Sequence, residues 1–434
     1  MTSNSSAPVA AGPATDAPEQ AARLRLFVFA LFFIFGGITS LNDVIIPKLK
    51  ALFTLSYGEV MLVQSAFFVA YFVVSAPAAG IVRRVGYMRA AVVGLLTMTL
   101  GCLLFVPASS SGQFPTFLAA LFVLAAGITI VQVVANPLIS LLGPPQTAPS
   151  RLTFAQAFNS LGTTIFPYVG SILILGPVAR AQPAELSGAA LTAFRATETH
   201  VIVRTYLALA AMLFTVAALV WRRRRYLSDR VVDDTSGHKA SELLRQPRFS
   251  YGVLCIFLYV GAEVAIGSLM VSYLMQSSVM GIGQDAAGRH VSFYWGGAMI
   301  GRFIGAYVLR LFSPGKVLAA VAAVAITLLM LSANTIGSFS GWALLAIGLF
   351  NSIMFPTIFS LACEGLGPRA AQGSGIIGMA IVGGAVVPWI TGHAADAFGS
   401  LKLALLVPAI CYAGIVGFGI FARRPRAAAD ATRV

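Results

Sequence analysis

Twelve apolar stretches, each near the length that crosses a bilayer, leave this chain little choice but a bundle of membrane-spanning helices. They fall at 25–47, 59–82, 88–107, 114–142, 152–176, 200–221, 250–276, 291–312, 316–334, 339–363, 372–395 and 401–422, separated by Gly, Pro or charge. About 20 apolar residues in a helix span the hydrocarbon layer, and backbone polar groups there must be satisfied within the segment itself. The expected fold class is therefore an all-α membrane protein with twelve transmembrane helices. Composition agrees, with 58% hydrophobic residues, 10% charged and a mean hydropathy of +0.86, outside the range of soluble domains.

Charge orients the bundle. The net charge of +14 would suit nucleic acid if it formed a patch, but the cations sort by side of the membrane. With the N-terminus in the cytoplasm, 21 of the 29 lysines and arginines lie in cytoplasmic segments, which is the expected bias with both termini inside. Residues 1–24 are Ser-, Ala- and Pro-rich and read as a disordered tail rather than a signal peptide; 423–434 form a second cytoplasmic tail. Cys102, Cys255, Cys363 and Cys411 each lie alone in an apolar run, and the four histidines are scattered. No metal, redox or cofactor pattern emerges.

The charged stretch at 222–249 divides the chain into halves of six spans, 25–221 and 250–422, which match weakly in sequence. "VQVVANPLISLLGP" and "FNSIMFPTIFSLACEGLGP" each place an amide five residues before a proline, Gln132 and Asn351, and each end in Leu-Gly-Pro. "AQAFNSLG" then faces "AQGSGIIG", and "GIVRRVGYMRAAV" faces "GAYVLRLFSPGKVLAAV". Matched halves of this kind are the mark of one large class of carriers.

A carboxylate at membrane depth is costly and is a functional candidate by default. Apart from Glu59, the first residue of its span, Asp43 and Glu263 are the acids that fall within the assigned spans, at equivalent places in the first and seventh. Thr39 and Tyr259, four residues earlier, put a hydroxyl on the same helix face as each acid. Asp43, close to Lys48, also reads as a helix-end residue near the headgroups. Gln132 with Asn136, and Gln156 with Asn159, form amide pairs on one face each; Asn42 and Asn351 join them as candidate ligand-binding groups. Amides donate and accept, which suits a ligand bearing hydroxyls, although interhelical bonding would serve any single one. Trp295 is the candidate for stacking on a sugar ring.

"LNDVIIPKLK", "VQVVANP", "RLTFAQAFNSLGTTIFP", "YVGAEVAIGS" and "FPTIFSLA" together resemble the fucose, galactose and glucose proton symporter family of the major facilitator superfamily, from about Leu26 to Phe421. The resemblance implies that superfamily's fold, with two pseudo-symmetric six-helix halves. It implies a proton-carrying role for Asp43 and a sugar site lined by Gln132, Gln156 and Asn159. Fucose-type members carry a glutamate at the position of Gln132, so the glutamine points to the glucose and galactose branch, as does the acid in "YVGAEV"; Val134 departs from that branch's usual alanine.

These readings converge on hexose import by proton symport with alternating access, in a bacterial inner membrane, by a functional monomer without cofactor. Alternatives are a fucose or N-acetylglucosamine symporter and a proton-coupled drug exporter. A membrane-embedded enzyme lacks a nucleophile-base pair or metal cluster within the spans. Arg83, Arg84 and Arg310 at matching cytoplasmic loops are expected to hold an inner gate, with Arg302 paired to Glu364.

Overall fold

The structure, a computed structural model, describes residues 16–141, 148–175, 188–222, 240–364, 366 and 370–423. The described residues form helices and their connections, with no strand among them. The first half comprises α1 (Asp16–Phe53), α2 (Tyr57–Val60), α3 (Leu62–Val85), α4 (Tyr87–Leu103), α5 (Phe105–Ser111), α6 (Phe114–Leu141), α7 (Ala148–Ile174) and α8 (Gly188–Arg222). A 3-10 turn at Ala240–Arg245 leads into the second half: α9 (Pro247–Leu274), α10 (Gln284–Leu311), α11 (Pro314–Asn334), α12 (Ser338–Asn351), α13 (Met354–Cys363), α14 (Ala370–Ala380), α15 (Gly383–Phe398), α16 (Leu401–Ala404) and α17 (Leu406–Phe421).

Eleven of the described spans are long and apolar enough to cross a membrane. The twelfth is α10, a helix of 28 residues whose first turns carry Asp285, Arg289 and His290 and whose interior carries Arg302. Five spans consist of two consecutive helices. One break, between α12 and α13, falls at Ser352–Ile353; Pro356, four residues beyond Ser352, lacks the N–H that would continue the ladder. Several boundaries move from the sequence reading, among them the starts of α8 at Gly188 and of α10 at Gln284 and both ends of α1. α1 begins at Asp16, inside the stretch read as a tail, because Ala17, Ala21 and Ala22 favour helix and Pro18 is tolerated in a first turn. α1 also runs past Pro47 to Phe53. Residues 223–239 and 424–434, in the expected linker and C-terminal tail, lie outside the described residues.

Within the first half α1 packs on α7, α3 and α4 pack on α6, and α4 packs on α8; within the second, α9 packs on α13, α15 and α17, and α11 packs on α12 and α17. The halves meet through α7 against α10, through α15 against α2 and α3, and through α1 against α9. The fifth span thus touches the eighth, and its counterpart the eleventh touches the second. This exchange is what a two-fold relation between the halves requires. Lipid offers no hydrophobic drive between helices, so close backbone approach matters. At Gly36 a Cβ would lie 2.5 Å from Asn159 Nδ2, and the missing side chain is what seats α1 against the amide-bearing face of α7.

Candidate functional site

α1 carries Asp43 into the joint between the halves. Ten residues of helix follow it, about 15 Å of rise, so the helix-end placement is corrected: Asp43 lies deep, at 3% exposure. Pro47 contributes no N–H to the Asp43 carbonyl four residues back, loosening the helix there. Gln64 Nε2 of α3 donates to Asp43 Oδ1 at 3.2 Å, Ser268 Oγ of α9 donates to the same oxygen at 3.2 Å, and Trp295 Nε1 of α10 donates to Oδ2 at 3.1 Å. Gln64 Nε2 also donates to Ser268 Oγ at 2.8 Å. Gly267 makes room for this cluster, since a Cβ there would stand 3.3 Å from Asp43 Oδ2. The carboxylate therefore takes donors from both halves at once.

Lys48, read as marking the membrane surface, is instead 5% exposed and pairs with Glu198 of α8 at 2.7 Å. Thr39 does not turn its hydroxyl to Asp43 but donates to its own helix at the Phe35 carbonyl, 2.7 Å away.

Glu263 forms a second centre in the other half. Tyr259 donates to its Oε1 at 2.6 Å, as the four-residue spacing predicts, and to the Asn351 carbonyl at 3.0 Å. Asn351 donates through Nδ2 to Tyr294 Oη at 2.8 Å and accepts through Oδ1 from Tyr412 Oη at 2.7 Å. Asn351 is fully buried, so both ends of the amide tie α10 and α17 to α12 and none of it faces a cavity in this arrangement. Glu263 is within electrostatic reach of both Asp43 and Arg302.

The remaining amides are distributed along α6 and α7. Gln132 Nε2 donates to Tyr71 Oη of α3 at 3.2 Å, with Asn136 one turn further along α6. The half-buried Gln156 side chain takes no hydrogen bond from the described residues, and Asn159 makes one long bond, Nδ2 to the Phe32 carbonyl at 3.4 Å. Asn42 is fully buried and its amide atoms bond to no described residue, so it is closed off in this arrangement. Trp295, assigned to ring stacking, gives its N–H to Asp43 while its ring stays half-buried.

The expected pairing of Arg302 with Glu364 is corrected. Arg302 reaches across from α10 to α7, donating to the Gln156 carbonyl at 3.0 Å and to Ser160 Oγ. Glu364 instead pairs with Arg248 at the start of α9, whose Nε donates to the Leu361 carbonyl at 3.0 Å. The two partners sit together because α9 begins beside the end of α13. Arg84 is exposed, and the side chains of Arg83 and Arg310 lie outside the described residues.

At the end of the bundle that carries 54–56 and 399–400, a closure missed in the sequence joins the halves. Asp396 of α15 accepts from the backbone N–H of Tyr57 at 2.8 Å and of Gly58 at 2.7 Å. Ser65 Oγ on α3 donates to the Ala385 carbonyl at 2.7 Å. Asp396 lay one residue beyond the assigned end of its span. Gln64 was visible as the single amide of its span, yet nothing in sequence pairs it with Ser268, 204 residues away.

The model of the Major Facilitator Superfamily matches residues 28–388. The chain is 48% identical over 393 residues to the glucose/galactose transporter of Brucella abortus, covering 90% of this chain and 92% of the relative. It is 34% identical over 400 residues to the L-fucose-proton symporter of Escherichia coli, covering 90% and 91%. Among solved structures, the superfamily transporter FucP in the outward conformation aligns with a TM-score of 0.70 and 32% identity, over 93% of this chain and all of that one. Two matched six-helix halves around buried acids and amides define a membrane carrier. The chain belongs to the Major Facilitator Superfamily.

Proposed function

We propose that this protein imports a hexose, glucose or galactose in preference to fucose, by proton symport, acting as a monomer in a bacterial inner membrane with both termini cytoplasmic. It is a carrier and not an enzyme, in keeping with relatives named as transporters and symporters. The observation that carries the reading is Asp43, a carboxyl group enclosed between the halves by donors from each. A buried ionised group is expensive unless its partners compensate, so the state of this one group bears on whether the halves can close. In the assigned orientation the end sealed by Asp396 faces the periplasm, and the arrangement described is closed to the outside.

The open amides of Gln156 and Asn159 supply donors and acceptors for sugar hydroxyls, with Gln132 nearby on α6. The halves at 25–221 and 250–422 rock about this site. Opening outward exposes Asp43 to periplasmic water; the group takes a proton, sugar binds, and closure reforms the contacts of Gln64, Ser268 and Trp295. Arg302, joined to α7 in this state, parts from it as the halves separate.

The test is uptake of labelled glucose into proteoliposomes under imposed proton or sodium gradients, in competition with a panel of unlabelled sugars. Accumulation driven by the proton gradient, with glucose and galactose competing best, is expected. Fucose competing best while glucose does not compete overturns the sugar assignment, and accumulation driven by sodium alone overturns the ion.

A further inference from the structure

We propose that Gln64 is a positioning residue for proton coupling, a reversible bridge that lets the closed carrier hold Asp43 either charged or neutral. The inference rests on the reading of Asp43 as the proton carrier and adds the device that tolerates both of its states. Gln64 is 3% exposed, Asp43 3% and Ser268 fully buried, so bulk water does not satisfy whichever form of the carboxyl is enclosed. Trp295 Nε1 is only a donor and serves Oδ2 in either state. The contacts at Oδ1 are the ones that must change.

As described, Gln64 Nε2 donates to both Asp43 Oδ1 and Ser268 Oγ, and Ser268 donates to Oδ1. Each contact at Asp43 is a donor, which matches an ionised carboxylate. A proton on Oδ1 would face the Gln64 N–H and leave two hydrogens opposed. The amide resolves this because its two ends have nearly the same shape. A half-turn about Cγ–Cδ puts Oε1 where Nε2 stood; the new Oδ1–H then donates to Oε1, and the Ser268 hydroxyl turns to the second lone pair of the same oxygen. One proton is added, and Asp43 and Ser268 each keep a partner; the amide NH2 gives up its two acceptors, which is the cost of enclosing the neutral form. At present Oε1 takes no hydrogen bond from the described residues, so the turn breaks none there. Among the described residues, Glu263 on α9 and Tyr294 on α10 are the other titratable groups within electrostatic reach of Asp43.

Gln64 also spans the joint: α3 belongs to the first half and Ser268 to the second, so the bridge forms only when the halves are closed. A mere packing residue would be replaceable by any side chain of equal size. Methionine has that size without the polar ends. Glutamate keeps the length, with an acceptor always and a donor when protonated.

The experiment measures, on reconstituted full-length protein, sugar affinity, counterflow and proton-driven accumulation for Gln64→Met and Gln64→Glu, with Asp43→Asn alongside. Gln64→Met is expected to change sugar affinity by less than about twofold and to lower accumulation about fivefold or more, the fold-change of one lost hydrogen bond. Gln64→Glu, which sets two carboxyls in contact and raises the proton affinity of the pair, is expected to restore at least about half of the wild-type accumulation at a correspondingly raised outer pH. Accumulation by Gln64→Met equal to wild type, or Gln64→Glu no better than Gln64→Met, overturns the bridge. If Gln64→Met does not reconstitute, the glutamate variant decides alone. Asp43→Asn accumulating like wild type overturns the underlying proton-carrier reading instead, and is recognised by that separate result.

Discussion

Gln156 and Asn159 stand three residues apart on α7 with amide capacity left over: Gln156 makes no side-chain hydrogen bond to the described residues and Asn159 makes one at 3.4 Å. Replacing either by alanine is expected to weaken sugar binding by about 1–3 kcal/mol, the cost of stranding a ligand hydroxyl, with the melting temperature of the purified protein unchanged; calorimetric titration measures the loss, and wild-type affinity in both would return these amides to helix packing. Asn351 is the contrasting case. Its amide lies between Tyr294 and Tyr412, fully buried. Asn351→Leu strands the Tyr412 phenol, while Tyr294 keeps its bond to the Glu263 carbonyl at 3.2 Å, and is expected to destabilise the protein by about 1–3 kcal/mol, read as a lowered melting temperature while sugar affinity holds. Sequence marks all three residues as intramembrane amides and goes no further, since the difference lies in which helices stand opposite. Tyr294 and Tyr412 are distant in the chain and follow no spacing that would betray the pairing.

Between elements, the clearest device is the end-on contact of α15 with α2. A helix N-terminus presents N–H groups that lack intrahelical partners. The local capping box supplies Ser56 and Glu59, whereas Tyr57 and Gly58 depend on the carboxylate of Asp396 from the other half. The contact can exist only while that end is shut. Removing it with Asp396→Ala costs about 0.5–2 kcal/mol by analogy with a lost N-cap, which moves an open-closed equilibrium about two- to thirtyfold. Spin labels placed at the two rims should report more of the population with that end open, and an unchanged distance distribution would show that packing, not the cap, holds the closure. The helix break before Pro356 was not legible from the proline alone, since Pro77, Pro167 and Pro388 lie inside unbroken helices. Nor was the role of Asp396, because a carboxylate in "HAADAFGS" at a span end reads equally well as a solvated group.

At the scale of the whole molecule, the number of spans and their division into halves were legible from apolar run length, loop charge and repeated motifs. Which faces meet was not, because spans nearly apolar all round carry little periodic signal to say what they touch; α10, with its polar load, is the partial exception and does lie at the joint between the halves. Asp43 itself was found from its charge, yet its depth was misjudged because Lys48 looked like a headgroup-facing cation and is instead buried and paired with Glu198. The account stands on that one group linking sugar movement to a proton. Counterflow and proton-driven accumulation, measured on the same reconstituted Asp43→Asn carrier, test the link most directly. The amide imitates the neutral carboxyl in shape, so sugar should still bind and exchange across the membrane while net accumulation against a gradient is lost. Undiminished accumulation in that variant would contradict the account and pass the proton to Glu263.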